Sequence, residues 1–310
     1  MTESTLTPPE DDRCLNCGQV LIPGHHFCSK CGQKRQPLKR TIRAILEDVW
    51  ESTVAVDSKF VKTISNLLFR PGKLTREYFE GHRVTYLKPA SLFLLAAALL
   101  FLSIEWTAAT RESEGLVKTD SEYVSFSILP GFAFTLTGQQ VNQIRDADDD
   151  ELASILFTEE MQVDEFERLL AVKAMKLIRD DGILALRQKF SSVASKTVFL
   201  LVPLMALLVM GLHLRRKLYF ADAIIYCLHF HAAGFLAYLI LIAMPDNGVR
   251  STVALPIVIY LFWYTTKSLR VAFDNSWFLA TMKTGLLLLS HGLVALTLTI
   301  ALIIAVLVLN

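Results

Sequence analysis

The sequence predicts an all-α membrane protein: about five transmembrane helices, a small N-terminal zinc ribbon and a mainly helical soluble insertion. Three observations predict it. Five long apolar stretches follow residue 88, two Cys-x2-Cys pairs lie before residue 32, and a polar segment separates the first apolar stretch from the second. Hydrophobic residues make up 53% of the chain and charged residues 20%, a balance that excludes a disordered protein. The implied domains are a ribbon at 1–36, cytosolic amphipathic and juxtamembrane helices at 37–88, a first span at 89–104, an extracytoplasmic insertion at 105–196 and a four-helix membrane domain at 197–310.

A hydrocarbon core of about 30 Å needs about 20 apolar residues as helix. The candidate spans are Pro89–Ile104, Thr197–His213, Ala223–Met244, Val253–Thr266 and Gly285–Leu309. The fourth is short and contains Pro256, whereas the fifth is long enough to require tilt or an interfacial end. The polar N-terminal region carries no cleavable-signal pattern, so insertion is expected to begin at an internal helix.

Basic residues set the expected orientation. Arg70, Lys73, Arg76, Arg83 and Lys88 precede the first span, Arg215, Arg216 and Lys217 follow the second, and Lys267, Arg270 and Lys283 lie between the fourth and fifth. The third-to-fourth connection holds only Arg250. By the positive-inside rule the N-terminus is cytosolic and the C-terminus extracytoplasmic.

Cys14-x2-Cys17 and Cys28-x2-Cys31 supply four thiolates, the number and softness of a closed structural Zn2+ site. Gly18 and Gly32 follow the second cysteine of each pair, where the backbone turns under a metal at positive φ. The intervening segment is too short for a core, so the metal must supply most of the folding free energy. Paired redox thiols or disulfides are the competing reading, disfavoured by a cytosolic location. His25 and His26 are alternative ligands that a four-cysteine set leaves without a place. With the shell filled, no position remains for a catalytic water.

Lys34, Arg35, Lys39 and Arg40 follow the ribbon. Ahead of a membrane domain they are expected to face anionic lipid or a cytosolic protein rather than nucleic acid. Ile42, Ile45, Leu46 and Val49, then Phe60, Ile64, Leu67 and Leu68, fall at helical spacing within Thr41–Phe69. Asp57 or Ser58 caps a second helix there, and Pro71 and Gly72 stop it. Such helices lie in the membrane interface or pack on the ends of the spans.

Several runs carry a resemblance: the Cys14–Gln33 ribbon, Asp57-x2-Phe60-x2-Thr63, Arg70-Pro71-Gly72, and Tyr78-Phe79-Glu80-Gly81-His82-Arg83-x2-Tyr86-x2-Pro89. Phe199–Ala206 and Tyr219…Leu228-His229-Phe230-His231 extend it. The chain resembles an uncharacterised bacterial family of polytopic inner-membrane proteins with an N-terminal zinc ribbon, a domain of unknown function. His82 departs from that pattern, which has a basic residue there. The resemblance implies multi-pass placement in the bacterial inner membrane and carries no activity.

In the Arg70–Pro89 elbow, Thr75–Glu80 is expected as a short helix ended by Gly81. Arg70, Arg83 and Tyr86 are then candidates for lipid or partner contact, against the plainer reading of an elbow that only orients the first span. Asp222, Tyr226 and His229 share one face of the third span, and Cys227 and His231 share another. With His291 on the fifth span they form a candidate intramembrane polar site. Histidines satisfied by interhelical hydrogen bonds are the competing expectation, and Cys227 is expected as packing.

In the insertion, Glu159–Arg179 reads as helix and Glu122–Thr137 as short strands. Asp146-x-Asp148-x-Asp150 fails the calcium-loop pattern, because Glu151 occupies the glycine position, and reads as an acidic helix start. Three function classes follow. The first is a non-enzymatic scaffold or sensor acting through its ribbon. The second is a small-molecule or ion transporter with a polar site near the third and fifth spans. The third, a membrane enzyme acting on lipid, lacks any recognisable catalytic constellation. Membrane lipids are the expected partners, with a cytosolic protein on the ribbon. Oligomeric state is not legible.

Overall fold

The computed structural model describes residues 13–35, 58–113, 123–129, 132–137, 197–244 and 249–309, with a few positions between 139 and 176. The described helices are α1 (Ser58–Phe69), α2 (Lys73–Phe79), α3 (Pro89–Ser113), α4 (Thr197–Leu212), α5 (Phe220–Ile242), α6 (Val249–Phe273) and α7 (Trp277–Leu309). One antiparallel hairpin joins β1 (Tyr123–Leu129) to β2 (Phe132–Thr137), where short strands were expected. Its register sets Val124 opposite Leu136 and Phe126 opposite Phe134, with an irregularity between Ser127 and Leu129. Among the described residues the fold is therefore helical apart from this hairpin and the ribbon's isolated bridges.

Residues 41–57 of the expected amphipathic segment lie outside the described residues, as does most of Glu159–Arg179. Asp146 and Asp150 are also outside them, but Asp148 Oδ1 accepts the Glu151 N–H at 2.8 Å, the contact of a helix N-cap.

Among the described residues, two helical segments are long and apolar enough to cross a membrane, Phe220–Ile242 and Trp277–Leu302. Pro89–Ile104 and Thr197–Leu212 are apolar but shorter. The helix α6 runs well past the expected Val253–Thr266, contains Pro256 and ends in a basic last turn. Large apolar side chains stand exposed along several helices, among them Leu102, Leu207, Val258, Ile259, Leu289 and Leu293. Water does not tolerate so much apolar surface on a monomer, whereas lipid does. In contrast, α5 is central, with Ala223, Cys227, Ala232 and Ala233 buried. Small residues let neighbouring backbones approach closely, which drives helix packing in an apolar medium.

The main core lies where α1, α2 and the elbow meet α3, α5 and α6. Leu67, Leu74, Tyr86, Leu92, Ala96, Ala232, Ala233 and Tyr264 fill it. The helices α1 and α2 thus pack on the apolar helices that follow them. Two tyrosines of α6 complete the join: Tyr264 donates to the Leu67 carbonyl at 2.9 Å, and Tyr260 donates to the Leu68 carbonyl. Both carbonyls sit in the last turn of α1, where no intrahelical donor reaches them.

Gly72 turns the chain from α1 into α2. Its φ is +81°, and a Cβ there would stand 2.6 Å from the Ser268 carbonyl oxygen of α6. Gly81 ends α2 at φ +96°: its N–H bonds the Tyr78 carbonyl and the His82 N–H the Glu77 carbonyl. That pair of bonds is a Schellman termination, which the left-handed glycine permits. Arg76 of α2 reaches Glu80 at 2.9 Å and Asp274, beyond α6, at 2.8 Å.

Candidate metal centre

The two cysteine pairs adopt the same local structure. Gly18 N–H bonds the Cys14 carbonyl at 2.8 Å and Cys14 N–H the Gln19 carbonyl at 2.7 Å. In the second pair Gly32 N–H bonds the Cys28 carbonyl and Cys28 N–H the Gln33 carbonyl, both at 2.9 Å. Gly18 and Gly32 stand at φ +72° and +70°, as the turn requires. The Arg13–Val20 and Phe27–Lys34 bridges close each knuckle.

These turns face four sulfurs to one point. Cys14 and Cys31 Sγ are 3.6 Å apart, Cys17 and Cys28 Sγ are 3.7 Å apart, and all four lie within 4.8 Å of one another. All four are free thiols. Metal–sulfur bonds of about 2.3 Å make a tetrahedron with edges of about 3.8 Å, so the cluster fits a four-coordinate ion after a small contraction. The Cys31 backbone N–H, donating to the Cys28 sulfur, brings that thiol down to about 7. Burial pushes the Cys14 and Cys31 thiols up. A cation at the centre would offset that cost by stabilising the thiolates. His25 and His26 belong to no ligand cluster among the described residues.

The ribbon does not stand alone. Gln33, two residues beyond Cys31, is buried, and its Nε2 donates to the Gly81 carbonyl at 2.9 Å. Its Oε1 accepts the Arg83 N–H at 3.1 Å. One side-chain amide thereby pairs with two elbow residues as a β-strand neighbour would. From the other knuckle, Asn16 Oδ1 accepts the Thr85 hydroxyl at 2.8 Å. Thr63 of α1 then accepts the Leu87 N–H at 3.0 Å, holding the elbow from its far side.

The structure distributes the expected elbow residues differently. Arg70 is exposed. Arg83 is half-buried, with its guanidinium 5.2 Å from the Tyr78 ring centre. Tyr86, expected at headgroup level, is 8% exposed and packs in the core, because the Schellman turn directs the chain back over Leu67 and Leu74. Its phenol is pushed up to about 12, first by burial and then by the Glu77 carboxylate.

The intramembrane candidates also separate. Asp222 lies in the first turn of α5, and Tyr226 packs against the Phe230 and Phe273 rings. His229 Nδ1 meets the Thr75 hydroxyl of α2 at 2.9 Å, an interhelical hydrogen bond of the kind expected for a structural histidine. His231 turns away from His229 and faces His291, their ring centres 5.3 Å apart. The residues sequence reasoning passed over are Asn16, Gln33, Thr63, Thr75 and Thr85. Gln33 and Thr63 stood within the recognised runs, but nothing in a linear pattern pairs them with a backbone far along the chain.

With this geometry in place, comparison with known proteins is narrow. A family model described as "Protein of unknown function (DUF3667)" matches residues 57–101. The match spans α1, α2, the elbow and the first half of α3, the segment that carries the ribbon's docking site. No curated protein and no solved structure matches the chain.

Proposed function

We propose that this is a five-span integral membrane protein, non-enzymatic, acting as a sensor or scaffold through a zinc ribbon latched to its own membrane domain. The carrying observation is the Gln33 amide, which pairs with both Gly81 and Arg83. Residues 13–35 have no apolar core of their own: Val20, Ile22 and Phe27 are each about half exposed. The ribbon's fold therefore depends on its metal, for which structural zinc supplies about 10–16 kcal/mol in isolated fingers. Loss of metal would release Gln33 and Asn16 from the elbow. Hydrogen bonds worth about 1 kcal/mol each net give a coupling of a few kcal/mol, enough to shift a two-state equilibrium by about a hundredfold.

The elbow leads directly into α3, so a change at Gly81–Thr85 reaches the first span without an intermediary. The exposed Val20, Ile22 and Phe27 supply a face for a cytosolic protein partner. Basic loops support a cytosolic N-terminus and an extracytoplasmic C-terminus, in the inner membrane of a bacterium. The transporter alternative draws on the facing His231 and His291 rings.

Hydrogen exchange on the full chain in lipid nanodiscs tests the sensor reading. Removing zinc with a chelator is expected to speed exchange of the Arg83 amide at least tenfold. Cys17→Ser should do the same with loss of zinc, and Gln33→Ala with zinc retained. An Arg83 amide indifferent to zinc defeats the proposal.

A further inference from the structure

The helices α5 and α7 enclose a second group of metal-competent nitrogens. His231 is 5% exposed, and its Nδ1 lies 2.8 Å from the Cys227 carbonyl. A carbonyl only accepts, so Nδ1 carries the proton and Nε2 presents a lone pair. That Nε2 is buried and has no hydrogen-bond partner among the described residues, and the same holds for His291 Nδ1. Two unpaired nitrogens on facing imidazoles are costly in an apolar interior and call for a ligand.

The surroundings restrict its charge. Phe230 stands edge-on to both rings, at 5.6 Å from His231 and 6.4 Å from His291, and Phe93 and Phe235 stand 6.3 Å and 6.0 Å from His231. The apolar parts of α3 to α7 carry one carboxylate, Asp222, more than two helical turns from His231. A divalent ion between neutral ligands here would meet about four times the desolvation cost of a monovalent one, since that cost grows as the square of charge. Carboxylate-free imidazole ligation also disfavours Mg2+ and Ca2+ and suits copper.

We propose that His231 and His291 form a binding site for a monovalent soft metal ion, copper(I). An ion held by His231 Nε2 and His291 Nδ1 at about 2.0 Å would lie about 3.1 Å from each ring centre, and with ring centres 5.3 Å apart the N–metal–N angle would then be bent, at about 120°. A bent pair leaves one coordination position open. The site is independent of the ribbon: its ligands are neutral nitrogens on α5 and α7, not thiolates.

The test uses the full chain, zinc-loaded and purified in detergent without oxygen, titrated with copper(I) from a chromogenic chelator. Zinc content and X-ray absorption at the copper edge are read together. The expected result is one copper per chain, nitrogen-ligated, with zinc retained. His231→Gln and His291→Gln should each abolish that copper at the chelator concentration that saturates the unaltered protein, with zinc and melting midpoint kept. If His231→Gln fails to fold, His291→Gln, at a partly exposed position, decides alone. Absence of copper, sulfur-only ligation with zinc displaced, or nitrogen-ligated copper undiminished in the folded variants overturns the proposal.

Discussion

Thr75 and His229 are 154 positions apart in the chain and 2.9 Å apart in the fold, hydroxyl oxygen to Nδ1. Both side chains are buried. The bond fixes α2, which precedes α3, to the middle of the central helix α5. It explains why His229 stands buried on a mostly apolar helix without a catalytic role being required of it.

Thr75→Val keeps the shape of the side chain and removes the hydroxyl. A buried His229 nitrogen left without its partner is expected to cost about 1–3 kcal/mol. Thr75→Ser should retain most of the stability. Melting midpoints of the purified variants in one detergent check both, and a valine variant as stable as the unaltered protein would show that the bond contributes nothing.

Gly72 and Gly24 have nearly the same φ, +81° and +80°, but different neighbours. A Cβ at Gly24 meets nothing within 4 Å, whereas one at Gly72 stands 2.6 Å from the Ser268 oxygen. Gly24→Ala is expected to cost about 1–2 kcal/mol from left-handed strain alone. Gly72→Ala should cost at least about twice as much, since α2 must also move off α6. Equal losses in parallel denaturation series would refute the close approach.

Tyr86 gives a pH signature. Its phenol rises from an ordinary 10.0 to about 12, because burial penalises the phenolate. The stability this neutral phenol contributes is complete below pH 10.0 and is lost as pH rises through about 12. Tyr86→Phe cannot ionise, so its melting midpoint should fall less than that of the unaltered protein across this window. Parallel alkaline melting curves for the two proteins would place the phenol in contact with water.

Asn142 and Lys217 are both exposed, so each reports the side of the membrane it occupies. On the proposed topology, Asn142→Cys in intact cells reacts with an impermeant thiol reagent and Lys217→Cys does not. Reaction of Lys217→Cys alone would invert the protein.

Local chemistry wrote several elements into the chain directly. The Cys14–Cys17 and Cys28–Cys31 spacing, with a glycine after each pair, dictates twin knuckles, because the backbone bonds within each knuckle span only four or five residues. Apolar runs foretold α5 and α7, since a helix satisfies its own backbone and needs only length and hydrophobicity to suit lipid. Gly81 foretold the end of α2 by the same locality. Apolarity alone gave poorer boundaries: α7 begins at Trp277, well before the expected Gly285, because helix propensity and packing extend beyond the apolar run.

Tertiary structure alone decided which face of each element meets which neighbour. Tyr86 reads equally well as a headgroup anchor or a core residue, and only the return of the chain over Leu67 and Leu74 buries it. His229 and His231 are two residues apart on one helix, yet one bonds Thr75 and the other faces His291. The Gln33 latch was equally invisible in one dimension, since an amide matches almost any backbone segment and acquires Gly81 and Arg83 as partners only once the ribbon docks. The physical reason is common to all three: a side chain's type limits what it can bind, but its partner is set by long-range packing that no local pattern encodes.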